Sequence, residues 1–160
     1  MPSNDIKGSM KNRLINIFLL LFFSLQFSSC QAVGYGGYVQ MESSSQLPVI
    51  DNLDNEWLNL RDFQKDDRWP DDPLLCNRYS TFSTKSKVPI KILSCSKHDE
   101  KGYNYQISPI VRWDYGNVKK NQRPEVQAEI DKLMEEIRAT LQSKYKNMEI
   151  KKYAHDIILA

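Results

Sequence analysis

Tyr103-Asn104-Tyr105-Gln106-Ile107-Ser108-Pro109-Ile110-Val111-Arg112-Trp113-Asp114 is the stretch whose reading decides the fold class. Tyr103, Tyr105, Ile107, Val111 and Trp113 share one side of an extended chain, and Asn104, Gln106, Ser108 and Arg112 share the other. Side chains alternate across a strand with a period of two, so this pattern predicts a half-buried β-strand. Pro109 falls inside it and predicts a bulge or an edge position, because proline donates no ladder hydrogen bond. Upstream, residues 88–96 predict a second strand, with Ile90 and Ile92 on one face and Leu93 and Cys95 on the other. The turn-forming run 97–102 between them makes the pair an antiparallel hairpin. Residues 76–82 have strand character as well.

Downstream the period changes. Val126, Ile130, Leu133, Ile137, Leu141 and Tyr145 recur every three or four residues, with Met134 beside them. That spacing predicts one amphipathic helix over 121–147. Pro124 suits its first turn. Glu125 and Glu129 stand near the positive end of its dipole, and Lys144 and Lys146 near the negative end. Glu135 and Arg138 are placed to pair one turn apart. Residues 150–160 predict a last strand with Tyr153, Ile157 and Leu159 on one side. The predicted fold class is therefore α+β: a small antiparallel sheet packed by one long C-terminal amphipathic helix, followed by a short terminal strand.

The stretch before the hairpin is less regular. Leu47-Pro48-Val49-Ile50 predicts a short edge strand. Residues 51–63 suit either a short helix capped by Asp51, Asn52 or Asp54 and carrying Trp57, Leu60 and Phe63, or a strand around Trp57-Leu58-Asn59-Leu60. Residues 64–73 hold two prolines and four aspartates and predict a solvated acidic loop. They lack the alternate-position ligands, turn glycine and late glutamate of a calcium loop.

The chain opens with Lys7, Lys11 and Arg13 ahead of the stretch Leu14 to Cys30, a short apolar core interrupted by Asn16, Ser24 and Gln26 and ending in small residues. That order is an export signal, and the core is short for a spanning helix, which needs about 20 apolar residues. Phe27-Ser28-Ser29-Cys30 resembles the lipobox of bacterial lipoproteins. Phe27 stands where leucine is usual, and Gln26 is more polar than its position normally is. The resemblance implies lipidation of Cys30, cleavage before it and a membrane anchor. With Gln31 rather than aspartate after the cysteine, it implies the outer membrane, facing the periplasm. A cut after Ala32 would instead release a soluble periplasmic or secreted protein. The resemblance covers only the first thirty or so residues. Residues 31–46 are rich in Gly and Ser and predict a flexible tether. The expected organisation is a signal peptide at 1–29, lipidated Cys30 and tether at 30–46, and a single α+β domain at 47–160.

Cys76 and Cys95 remain as an even pair. Export permits a disulfide between them, joining the first strand of the hairpin region to the second.

The 22 Lys and Arg and 20 Asp and Glu give a net charge of +2. Lys7, Lys11, Arg13 and Asp5 lie in the leader, so the remainder carries 19 of each sign and is neutral. A neutral domain lacks the field that nucleic acid requires, so no nucleic-acid partner is expected. No phosphate loop, nucleophile elbow, zinc spacing or other metal motif occurs, and no cofactor is expected. The histidines, His98 and His155, each precede an aspartate, a common neighbour pair. Tyr103, Tyr105 and Trp113 offer aromatic rings of the kind used in recognition surfaces. The expected function is an envelope-anchored lipoprotein with a non-catalytic domain. That domain would bind another macromolecule, either an envelope component or a toxic enzyme to be neutralised. The alternative is a small exported hydrolase using His98 or His155.

Overall fold

The computed structural model describes residues 33–66, 76–114 and 118–158. Its elements run β1 (Gly34–Ser43), α1 (Ile50–Trp57), β2 (Gln64–Lys65), β3 (Cys76–Phe82), β4 (Pro89–Asp99), β5 (Gly102–Arg112), α2 (Arg123–Lys144) and β6 (Ile150–Ile157), with short 3-10 turns at Leu58–Leu60 and Lys120–Gln122. Six strands form one antiparallel sheet in the order β2-β3-β4-β5-β1-β6. The described residues belong to one compact unit, Ala32–Ile158. The α+β class holds, as do the long helix and the strand that follows it.

The hairpin forms as its alternation requires. Glu100 and Lys101 connect β4 to β5, with Asp99 opposite Gly102. Gly102 has φ +122°, a region that favours glycine. A Cβ there would stand 2.5 Å from the Ser43 carbonyl oxygen. Tyr105, Ile107, Val111 and Trp113 are buried on one face. Pro109 corrects the expected bulge or edge position. It lies in a strand flanked on both sides, by β4 and β1. The β1–β5 register is the same before it (Val39 with Ile107) and after it (Gly36 with Ile110), so no residue is inserted.

The largest correction concerns 30–46. Gly34–Ser43, expected to be part of a flexible tether, is strand β1 and lies inside the sheet between β5 and β6. Its glycines serve close packing. A Cβ on Gly37 would collide with the Tyr153 carbonyl oxygen and stand 2.8 Å from the Met134 sulfur of α2. Val39 and Met41 fill the core beside it. Cys30 lies outside the described residues.

Leu47–Ile50 is not the expected edge strand. Leu47 is buried in a loop, Val49 is exposed and Ile50 begins α1. Residues 51–63 resolve as a helix with a 3-10 turn, and its N-cap is Val49, without side-chain capping by Asp51, Asn52 or Asp54. Gln64–Lys65, expected in a loop, pairs with β3, and residues 67–73 lie outside the described ones.

Helix α2 lays Val126, Ile130, Leu133, Met134, Ile137 and Leu141 on the inner face of the sheet, all fully buried. Burial of a side chain of this size is worth about 1.5–3 kcal/mol. Cys76 and Cys95 are directly opposite across β3 and β4, with Cα atoms 4.1 Å apart, and are disulfide-bonded. No helix among the described residues is long and apolar enough to cross a membrane.

Candidate functional site

The apolar stripe of α1 is Ile50, Leu53 and Trp57, and Asp54 lies on the same stripe. The helix therefore drives a carboxyl group into the core, where it is completely buried. Donors from the inner face of the sheet meet it. The Tyr79 hydroxyl donates to Oδ2 at 2.7 Å, and the Asn77 amide donates to the same oxygen at 2.8 Å. The Tyr105 hydroxyl donates to Oδ1 at 2.5 Å, joined there by the Ser94 hydroxyl. Trp57 Nε1 donates to the Tyr105 oxygen at 2.8 Å and stacks edge-on against Tyr79 and Phe63. Burial, then the hydrogen bond to Asp54, pushes the Tyr79 phenol far above its ordinary range. Burial and the Asp54 charge do the same to Tyr105. The cluster ties α1 to β3, β4 and β5. Each Asp54 oxygen already takes two internal donors, so its chemistry is structural.

A second cluster centres on Glu129 of α2. Arg61 Nη1 donates to it at 2.7 Å, and the Thr84 N–H donates at 2.8 Å together with the Thr84 hydroxyl. Burial alone would raise this carboxyl, but the Thr84 and Arg61 donors outweigh it and hold it below the ordinary range.

The histidines stand apart. The His98 ring stacks on Tyr103 at 4.3 Å and 20°, near the Leu47–Ile50 loop. His155 is exposed on β6 opposite Gly36. No group of three or more His, Cys, Asp or Glu among the described residues is arranged to hold a metal ion.

The aromatic surface expected of Tyr103, Tyr105 and Trp113 is corrected. Tyr105, bonded to Asp54 and Trp57 of α1, and Trp113, beside Arg123 of α2, are core residues, and Tyr103 is partly buried against His98. They share the alternation's inner side, the one on which α1 and α2 pack. The exposed Tyr153 and the half-buried Tyr38 lie on the opposite face. Tyr38 and Tyr153 are direct cross-strand partners with ring centroids 4.7 Å apart, and Tyr153 is 44% exposed.

Parity of the register builds that outer face row by row. Ser80, Lys91, Ile110, Gly36 and His155 form one row across five strands. Cys76, Cys95, Gln106, Gln40 and Lys151 form another. Arg78 pairs with Leu93, which pairs with Ser108, in the row that ends at Tyr38 and Tyr153. No described helix packs on this face. The sequence carried a signal for Asp54, a polar residue on an apolar helical stripe. It carried none for the Tyr38–Tyr153 pair while β1 read as a tether.

Compared with protein-family models, with curated proteins and with solved structures, the chain matches none.

Proposed function

We propose that this chain is an exported envelope lipoprotein, anchored through Cys30, whose folded unit is a non-catalytic module that binds another protein through the open face of its sheet. The observation that carries the binding half is the Tyr38–Tyr153 pair, set among Leu93, Ile110, Arg78, Lys91 and two glutamines on the face opposite α2. Aromatic rings with interspersed apolar and basic side chains are the composition of recognition surfaces, where a few aromatic anchors carry most of the affinity. The partner class is an envelope component or a toxic enzyme that the module neutralises. The anchoring half is supported by Phe27-Ser28-Ser29-Cys30 and the export signal before it. Placement at the outer membrane, facing the periplasm, follows from Gln31 under the same reading.

Two measurements test the proposal. Labelled palmitate should enter the wild-type chain and not Cys30→Ser. Failure of incorporation, with a mature N-terminus at Val33, would refute the anchor. A photoreactive residue at position 153, introduced in the native host, should capture a discrete protein that position 132, on the solvent side of α2, does not. Identical capture at both positions would refute the outer face as the binding surface.

A further inference from the structure

We propose that the end of the sheet where β1 begins rests directly on the phospholipid headgroups of the leaflet that holds the Cys30 lipid. The inference depends on the lipidation reading above and adds an orientation and a second contact with the membrane.

The argument starts from chain length. Gly34 opens β1 four residues after Cys30. A chain spans at most about 3.6 Å per residue, so an acylated Cys30 lies within about 14 Å of the first sheet residue. A sixteen-residue tether would have let the domain float, whereas the observed strand does not.

The register shows what else occupies that end. Gly34 pairs with Arg112 and with Ile157, so β1 begins where β5 and β6 finish. Phe82 pairs with Pro89, two residues ahead of the Lys91–Ile110 pair, which brings the β3–β4 loop to the same end. The Arg123 guanidinium lies 5.4 Å from the Trp113 ring, so α2 also starts there.

The side chains at this end suit a headgroup layer. Phe82 is 55% exposed and Ile158 is 56% exposed. Lys85, Lys87, Lys119 and Lys120 are exposed around them. Ammonium groups pair with lipid phosphates at the depth where neighbouring apolar side chains enter the acyl boundary. The nearby carboxyls are Asp62, Asp114, Glu125, Glu129, Glu136 and Asp156; Arg112 holds Asp114 at 2.6 and 3.1 Å, Arg61 and Thr84 hold Glu129, and Lys132 pairs with Glu136. The end next to the anchor thus presents four exposed lysines and two apolar tips, while three of its carboxyls are engaged by Arg112, Arg61 and Lys132. The β4–β5 turn stands about 35 Å away along the strands, given the 11-residue length of β4.

The test uses the full lipidated chain, purified from membranes and reconstituted in vesicles of phosphatidylethanolamine and phosphatidylglycerol. Photoreactive residues are placed singly at positions 120, 158 and 101. Phospholipid adducts should form at 120 and 158 at about tenfold the yield at 101, because surface contact is lost within about a Debye length. A Lys85→Glu, Lys87→Glu, Lys119→Glu, Lys120→Glu variant with unchanged melting should lose most of the adduct at 158. Equal yields at 120 and 101, or an undiminished yield at 158 in that variant, would overturn the inference and leave the anchor intact. Absence of palmitate from the wild-type chain would overturn both.

Discussion

Asp54 accepts from three hydroxyls and one amide, and no basic side chain is among its partners. Its removal therefore strands donors rather than breaking an ion pair. Asp54→Ala leaves the Tyr79, Tyr105 and Ser94 hydroxyls buried without their acceptor, and each such group costs about 1–3 kcal/mol. Some of that is recovered by Ser94, which already lies 3.2 Å from the Tyr105 oxygen. The expected loss is about 4 kcal/mol by chemical denaturation. Asp51→Ala, one turn away and exposed, with a bond to Asn77 at 2.9 Å, should change stability by less than about 0.5 kcal/mol. Equal effects would mean that the network adds nothing beyond packing. The same cluster sets an alkaline limit. The Tyr79 and Tyr105 phenols are raised far above 10.0, and Tyr35, by burial and its bond to Asp131, to about 12. A raised phenol contributes stability in full below its unfolded value and loses it as pH climbs toward the folded one. An ultraviolet titration should show these rings ionising together with the loss of circular dichroism. Reversible ionisation of Tyr79 or Tyr105 in the folded chain near pH 10 would contradict the buried geometry.

Among the elements, α2 and the β4–β5 hairpin were legible because a single period governs each, and burial follows that period residue by residue. The disulfide was legible because reading Cys30 as part of the leader junction left an even pair of cysteines, each on a predicted strand. Strand β1 was not legible. Its glycines are indistinguishable by composition from those of a linker, and their use appears only when Met134 and Tyr153 arrive against Gly37 from distant sequence. Pro109 misled for a related reason. Its missing donor was read as incompatible with a flanked strand, yet the ladder resumes in register on both sides. The candidate site shifted with β1, since a face cannot be assigned in a strand that is not recognised. Gly37→Val tests the element directly. A side chain there must displace backbone, so the expected cost is about 3 kcal/mol or failure to fold, whereas Tyr38→Phe should fold normally. A Gly37→Val chain as stable as wild type would return residues 34–43 to the status of a linker. Joint replacement of Cys76 and Cys95 by alanine should cost about 3 kcal/mol, the chain-entropy value for a closed loop of this length.

For the whole molecule, Glu129 is the point at which three separate segments meet: α2, the turn that follows α1 through Arg61, and the β3–β4 loop through Thr84. Its carboxyl is held below the ordinary 4.5 because the Thr84 and Arg61 donors exceed the cost of burial. A depressed carboxyl contributes stability above its unfolded pKa and loses that contribution as pH falls toward the folded value. The unfolding free energy should therefore decline as pH drops below about 4.5. Glu135 also titrates low, at about 2, through Arg138 and then Lys152, but it sits on the surface, where solvent screens the pairs. The two are separable by substitution. Glu129→Gln should be less stable than wild type at neutral pH, and the two stability curves should converge as pH falls through the acid range. Glu135→Gln should follow the wild-type curve closely. A gap between wild type and Glu129→Gln that stays constant from neutral to acid pH would show that shape, not charge, joins the three segments. The β3–β4 loop and its lysines would then keep their place whatever the protonation of Glu129.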